Sequence, residues 1–137
     1  CRHEDAAAVV DALSGAAEGA LVSVWGIDSA HALSRLAALS TVASGAIDAL
    51  TVALARSVDL LIRVGVGKNG ENMQIVEMIA PRVKEGNQIL HEPIFQARYS
   101  VDDGKTVFEA TGRVPAFVSD LSIRGITLNS AVFENDE

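Results

Sequence analysis

Apolar residues recur at helical spacing in two stretches of the first half of the chain, and the second half reads as strand-like segments joined by turns. In residues 4–13, Ala6, Val9, Val10 and Leu13 share one face of a helix, with Glu4 and Asp5 in its first turn, where carboxylates complement the helix dipole. Gly15 then serves as the stop. Residues 20–25, bounded by Gly19 and Gly26, read as a short buried strand. Asp28 is a natural N-cap for a helix in which Ala32, Leu33, Leu36 and Leu39 recur three or four apart. Ser44 is placed to cap a further helix over residues 46–56, which is poor in charge and expected to be covered on most faces. Residues 58–64 read as a strand, and the run Leu60-Leu61-Ile62 predicts burial on both of its faces.

Beyond Gly65 the grammar changes. Asn69-Gly70 lies between two strand-like segments, a strong hairpin signal, with residues 73–83 as the second arm. A second hairpin is expected from residues 88–99 and 105–110, turned at Asp102-Asp103-Gly104. Residues 115–124 read as a short helix, and Gly125-Ile126-Thr127-Leu128 leads into a terminal turn. The chain is therefore α/β over residues 1–64 and antiparallel β over 65–137, with the two parts expected to form one composite unit.

Composition narrows the function more than the fold. With 137 residues, 49% of them apolar and 21% charged, the chain can bury one real core. A net charge of −7 without basic runs argues against direct nucleic-acid binding. Cys1 is the only cysteine, so an internal disulfide and a cysteine zinc site are both excluded. The longest apolar stretch, residues 41–55, is too short to span a bilayer, so no transmembrane segment is expected. An opening of Cys-Arg-His-Glu-Asp without Met suggests a piece of a longer or processed chain.

Two glycine–lysine pairs invite a phosphate-loop reading, which needs Gly-x-x-x-x-Gly-Lys-Ser/Thr between a strand and a helix. For Gly67-Lys68 the leading position is Ile62, and Asn69 replaces the hydroxyl residue. For Gly104-Lys105-Thr106 the leading position is Tyr99, and strand-like sequence follows. Both read as hairpin turns. His3, His31 and His91 have neither i, i+4 pairing with one another nor cysteine partners, so no metal site is expected. No serine occupies a Gly-x-Ser-x-Gly elbow, and no catalytic residue is assigned.

Read in order, several segments resemble the traffic ATPases of type II and type IV secretion. Arg2-His3-Glu4-Asp5-Ala6 is similar to that family's Val-Arg-Gly-x-Glu-Ala, and Ala32-Leu33-Ser34-Arg35-Leu36 to its Ala-Leu-x-Arg-Leu helix. Ser57-Val58-Asp59-Leu60-Leu61-Ile62 resembles its Ser-Val-Asp-hydrophobic strand, and Ile75-Val76-Glu77-Met78 its Val-Val-Glu-Ile strand. Ala110-Thr111-Gly112-Arg113-Val114-Pro115-Ala116-Phe117, then Gly125-Ile126-Thr127-Leu128 and Phe133, is similar to the tail of the tight-adherence pilus and conjugation ATPases. The chain departs at the family's histidines: Ala17 stands for the His of Gly-His-x-Gly, Trp25 for that of His-Ala-Asn, and Ile27 for the Asn.

The resemblance implies the distal part of a RecA-like nucleotide-binding domain with a β-hairpin lobe, working in the full protein as a hexamer that uses ATP and Mg. The phosphate loop would lie upstream, so this chain alone is expected to be inactive. Arg2 and Ser23, matching the family's arginine and threonine, are the implied cofactor-binding residues. The implied place is the cytoplasmic face of the inner membrane, with secretion or pilus platform proteins as partners. A degenerate relative that assembles without turnover is the alternative.

Overall fold

In the computed structural model, residues 3–14, 19–40, 46–66, 72–102 and 104–135 are described. Among them are four helices and six strands, with a four-stranded antiparallel sheet as the largest element. The chain divides into two compact units, Cys1–Asp59 with Pro81–His91, and Leu60–Ala80 with Glu92–Glu137.

The first unit is helical. Helices α1 (His3–Ser14), α2 (Ser29–Ser40) and α3 (Ile47–Ser57) pack on one another through the apolar faces that their spacing announces. Ala6 and Val10 of α1, Leu33, Leu36 and Ala37 of α2, and Leu54 and Ala55 of α3 form its core. Helix α3 is less covered than expected. Ile47, Asp48, Ala49, Ala53 and Arg56 are exposed, because its neighbours meet only one of its faces and its alanines add little polarity to the other. Ser44, the expected cap of α3, lies outside the described residues, and Ala46 makes no side-chain capping bond.

The same unit holds a two-stranded ribbon of β3 (Arg82–Val83) and β4 (Ile89–Leu90), with Lys84 N–H donating to the Gln88 carbonyl at 2.9 Å. Between them Gly86 (φ 76°) and Asn87 (φ 61°) both take the left-handed conformation. Two such residues in succession give a tight hairpin its twist, and glycine and asparagine tolerate them best. Arg56 Nη2 donates to Asn87 Oδ1 at 3.3 Å and ties α3 to this turn. The ribbon splits what the sequence suggested were the continuous arms 73–83 and 88–99.

The second unit is the sheet, in the order β1 (Leu61–Val66), β2 (Met73–Ile79), β5 (Pro93–Tyr99), β6 (Thr106–Ala110). Both expected hairpins supply antiparallel pairs, β1 with β2 and β5 with β6. The Asn69-Gly70 turn lies outside the described residues. At the second turn Gly104 has φ 67° and Ser100 N–H donates to the Lys105 carbonyl at 2.8 Å. Arg63, Glu77, Gln96 and Glu109 form one row across all four strands, and Ile62, Met78, Phe95 and Ala110 form the next. The polar row carries Arg63 Nε to Glu77 Oε1 at 2.6 Å, and Arg98 Nε reaches Glu109 Oε2 at 3.3 Å.

The apolar row is covered unevenly. Phe95 stacks on Phe108 with centroids 5.7 Å apart, and buried Phe133, from the 3-10 turn Ser130–Phe133, tilts against it at 5.7 Å. Ile62, by contrast, is 47% exposed, and Val64 and Val66 are exposed too. The expectation of a strand buried on both faces fails here because β1 is an edge strand with one neighbour. Helix α4 (Phe117–Ile123) follows, shorter than the sequence suggested.

Leu54 is fully buried, so Leu54→Ala is expected to lower stability by about 2–5 kcal/mol. Urea unfolding followed by far-ultraviolet circular dichroism measures this, and a loss under about 1 kcal/mol would place Leu54 outside the core.

Candidate functional site

The segment before α2 keeps the alternation of a strand without being one. Val22, Val24 and Gly26 are partly covered, whereas Leu21, Ser23, Trp25 and Ile27 are exposed, Leu21 at 98% and Trp25 at 68%. It joins neither sheet among the described residues. This corrects the expected buried strand: composition favours an extended chain, but a strand exists only where a second backbone completes the ladder.

The segment then turns tightly onto α2. A Cβ added to Gly26 would lie 2.9 Å from the backbone of Ala32, so glycine is what permits the close approach. Asp28 caps the helix as expected: its Oδ1 accepts the His31 N–H at 2.7 Å, and its carbonyl accepts the Ala32 N–H at 3.0 Å. Ile27 N–H donates to His31 Nδ1 at 3.1 Å. That ring nitrogen is thereby the acceptor, and in the neutral imidazole the proton sits on Nε2.

This turn brings three side chains together. The His31 ring meets Trp25 edge-on, 5.9 Å between centroids and 86° between planes. The Arg35 guanidinium carbon lies 5.2 Å from the indole centroid, over the ring. His31 and Arg35 are i and i+4 on α2 and so rise on one face. The group offers a π surface, a ring N–H, an indole N–H and the guanidinium edge. Its three N–H groups are donors, its π face is taken up by the Arg35 cation and Asp28 is engaged as the cap, so the cluster offers donors to an acceptor and holds no nucleophile.

The residues singled out from sequence fare differently. Arg2 and Ala17 lie outside the described residues, as does Gly67-Lys68. Ser23 is exposed, two positions before Trp25. Gly104-Lys105-Thr106 leads into β6, the hairpin geometry and not a strand-to-helix phosphate cradle. His91 Nδ1 lies 3.3 Å from the Oγ of buried Ser29, within the helical unit. Among the described residues no group of three or more His, Cys, Asp or Glu could hold a metal ion.

Residues 111–115 have structural duties. Thr111 Oγ1 donates to the carbonyl of Pro93 at 2.7 Å and is within 3.2 Å of that of Ile94, while its N–H donates to Ile94 at 2.9 Å. These bonds fasten the end of β6 at the irregularity where Ile79 pairs with Pro93 and Met78 with Phe95. Gly112 follows with φ 79°, Arg113 pairs with Glu92, and Pro115 is buried. No known protein-family model matches the chain, and no curated protein matches it significantly.

Asp28→Ala removes the cap that sets the turn and is expected to cost about 0.5–2 kcal/mol, with Asp28→Asn close to the parent because asparagine caps equally well. Urea unfolding of the two variants side by side checks this; equal losses would show that the carboxylate charge, and not the cap, matters.

Proposed function

We propose that this chain is the C-terminal portion of a motor ATPase of the secretion or pilus-assembly type, a RecA-like domain working as a hexamer. The observation that carries the reading is the order of family-like segments along nearly the whole chain, from Arg2 through Arg35 and Asp59 to Phe133. The architecture is compatible, being a mixed α/β chain whose strand-like segment 20–27 and edge strand β1 expose apolar residues. A larger sheet would cover both.

The described residues do not by themselves fit a bound Mg-ATP: Gly104-Lys105-Thr106 leads into a strand and makes no glycine-rich strand-to-helix loop, and Ser23 is exposed. In this reading the phosphate loop and the catalytic carboxylate come from upstream sequence, and this chain contributes the distal elements with Arg2 and Ser23 as nucleotide contacts. The parent would act at the cytoplasmic face of the inner membrane, with platform proteins as partners. Among the described residues no helix is long and apolar enough to cross a membrane.

A second reading, a relative that assembles without turnover, is favoured by one observation. At the family's histidine position stands Trp25, engaged by Arg35 and His31 in stacking contacts that transfer no proton.

ATP turnover of the protein from its natural start, with this chain alone alongside, tests both. The motor reading expects hydrolysis by the longer protein and none by the chain alone. No turnover, even after Ala17→His and Trp25→His are introduced together, selects the non-hydrolysing relative. A natural frame without a phosphate loop, or tight ATP binding by the isolated chain, overturns the motor.

A further inference from the structure

We propose that Trp25, His31 and Arg35 form an oxyanion site that takes a phosphate group. The inference stands apart from the motor reading, because it concerns three side chains of the helical unit that meet in this chain alone.

Three of the eight arginines of this protein are ion-paired with its own acids among the described residues. Arg63 pairs with Glu77, Arg98 with Glu109 and Arg113 with Glu92. In a chain of net charge −7, acids are plentiful, yet Arg35 pairs with none among the described residues. Its guanidinium carbon lies instead 5.2 Å from the centroid of an indole, a contact that holds the cation in place without using its N–H groups in an ion pair. The nearest acid in sequence, Asp28, has its Oδ1 occupied by the His31 backbone N–H.

His31 is prepared in a complementary way. With Nδ1 accepting from Ile27, Nε2–H is the remaining donor of the neutral ring, and its tautomer needs no adjustment when a ligand arrives. The donors are not coplanar, since the imidazole stands at 86° to the indole and Arg35 lies over the indole face. A tetrahedral phosphate, with acceptor oxygens in several directions, satisfies such a set better than a planar carboxylate. The N-terminus of α2 is not the anion binder, because the Asp28 side chain already fills it.

Trp25 is the only tryptophan, so intrinsic emission reports on this site directly. The experiment is a fluorescence titration of the whole chain with inorganic phosphate at constant ionic strength, with chloride and acetate as parallel arms. The expected result is a saturable change with phosphate, absent with chloride, and weakened about tenfold or more in Arg35→Gln. Arg35→Lys should also bind more weakly, because a lysine lacks the planar fork. Circular dichroism confirms that each variant is folded, and phosphorus-NMR line broadening gives a second readout. No saturable response, an equal response in Arg35→Gln, or equal saturation by acetate would overturn the assignment. Absence of an upstream phosphate loop would sink the motor and leave this result untouched.

Discussion

Backbone hydrogen bonding decides which apolar segments of this chain become structure. An extended segment gains little from its side chains until a second strand takes its N–H and C=O groups. The sheet meets that requirement with two hairpins laid side by side, so β2 and β5 are paired on both edges. Its register then places Arg63, Glu77, Gln96 and Glu109 in one row and Ile62, Met78, Phe95 and Ala110 in the next. Residues 20–27 have comparable composition and no ladder among the described residues, so Leu21, Trp25 and Ile27 stay in solvent. The same sequence grammar yields a strand in one place and an exposed rib in the other.

That difference separates what could be read from the sequence and what could not. The first two helices were legible because their period is internal: Ala6 and Val10, and Leu33 and Leu36, lie where the spacing puts them. The cap at Asp28 and the turn ending at Gly104 were legible because each is a local bond or a local dihedral angle. The ribbon β3–β4 was not, since two-residue strands carry no period and only Gly86-Asn87 signals the turn. Burial misled for β1 and α3 because hydrophobicity states a preference, whereas exposure depends on how many neighbours arrive. At the candidate site, the i, i+4 pair His31 and Arg35 was visible in sequence. Its meeting with Trp25 was not, because that depends on Gly26 letting the chain pass within van der Waals reach of Ala32.

The tail shows why sequence resemblance speaks to architecture before chemistry. Thr111, Gly112, Arg113 and Pro115 each serve the lobe mechanically, through a hydroxyl bond to the start of β5, a left-handed turn, an ion pair to Glu92 and a buried ring. None of these requires a nucleotide. Selection for this lobe's shape alone would keep such residues.

Residue 25 limits the chemistry of the group around α2. An imidazole there could exchange a proton near neutral pH and pass a charge change onward. An indole cannot; it offers a flat face and one N–H. With Trp25 in place, Arg35 lies over the ring and His31 meets it in a T-shaped contact, an arrangement that carries no proton transfer. The exposed ion pairs of the sheet contribute about 0–1 kcal/mol each and neutralise one another locally. Arg35, in the middle of α2, pairs with no described acid and lies against the Trp25 ring instead.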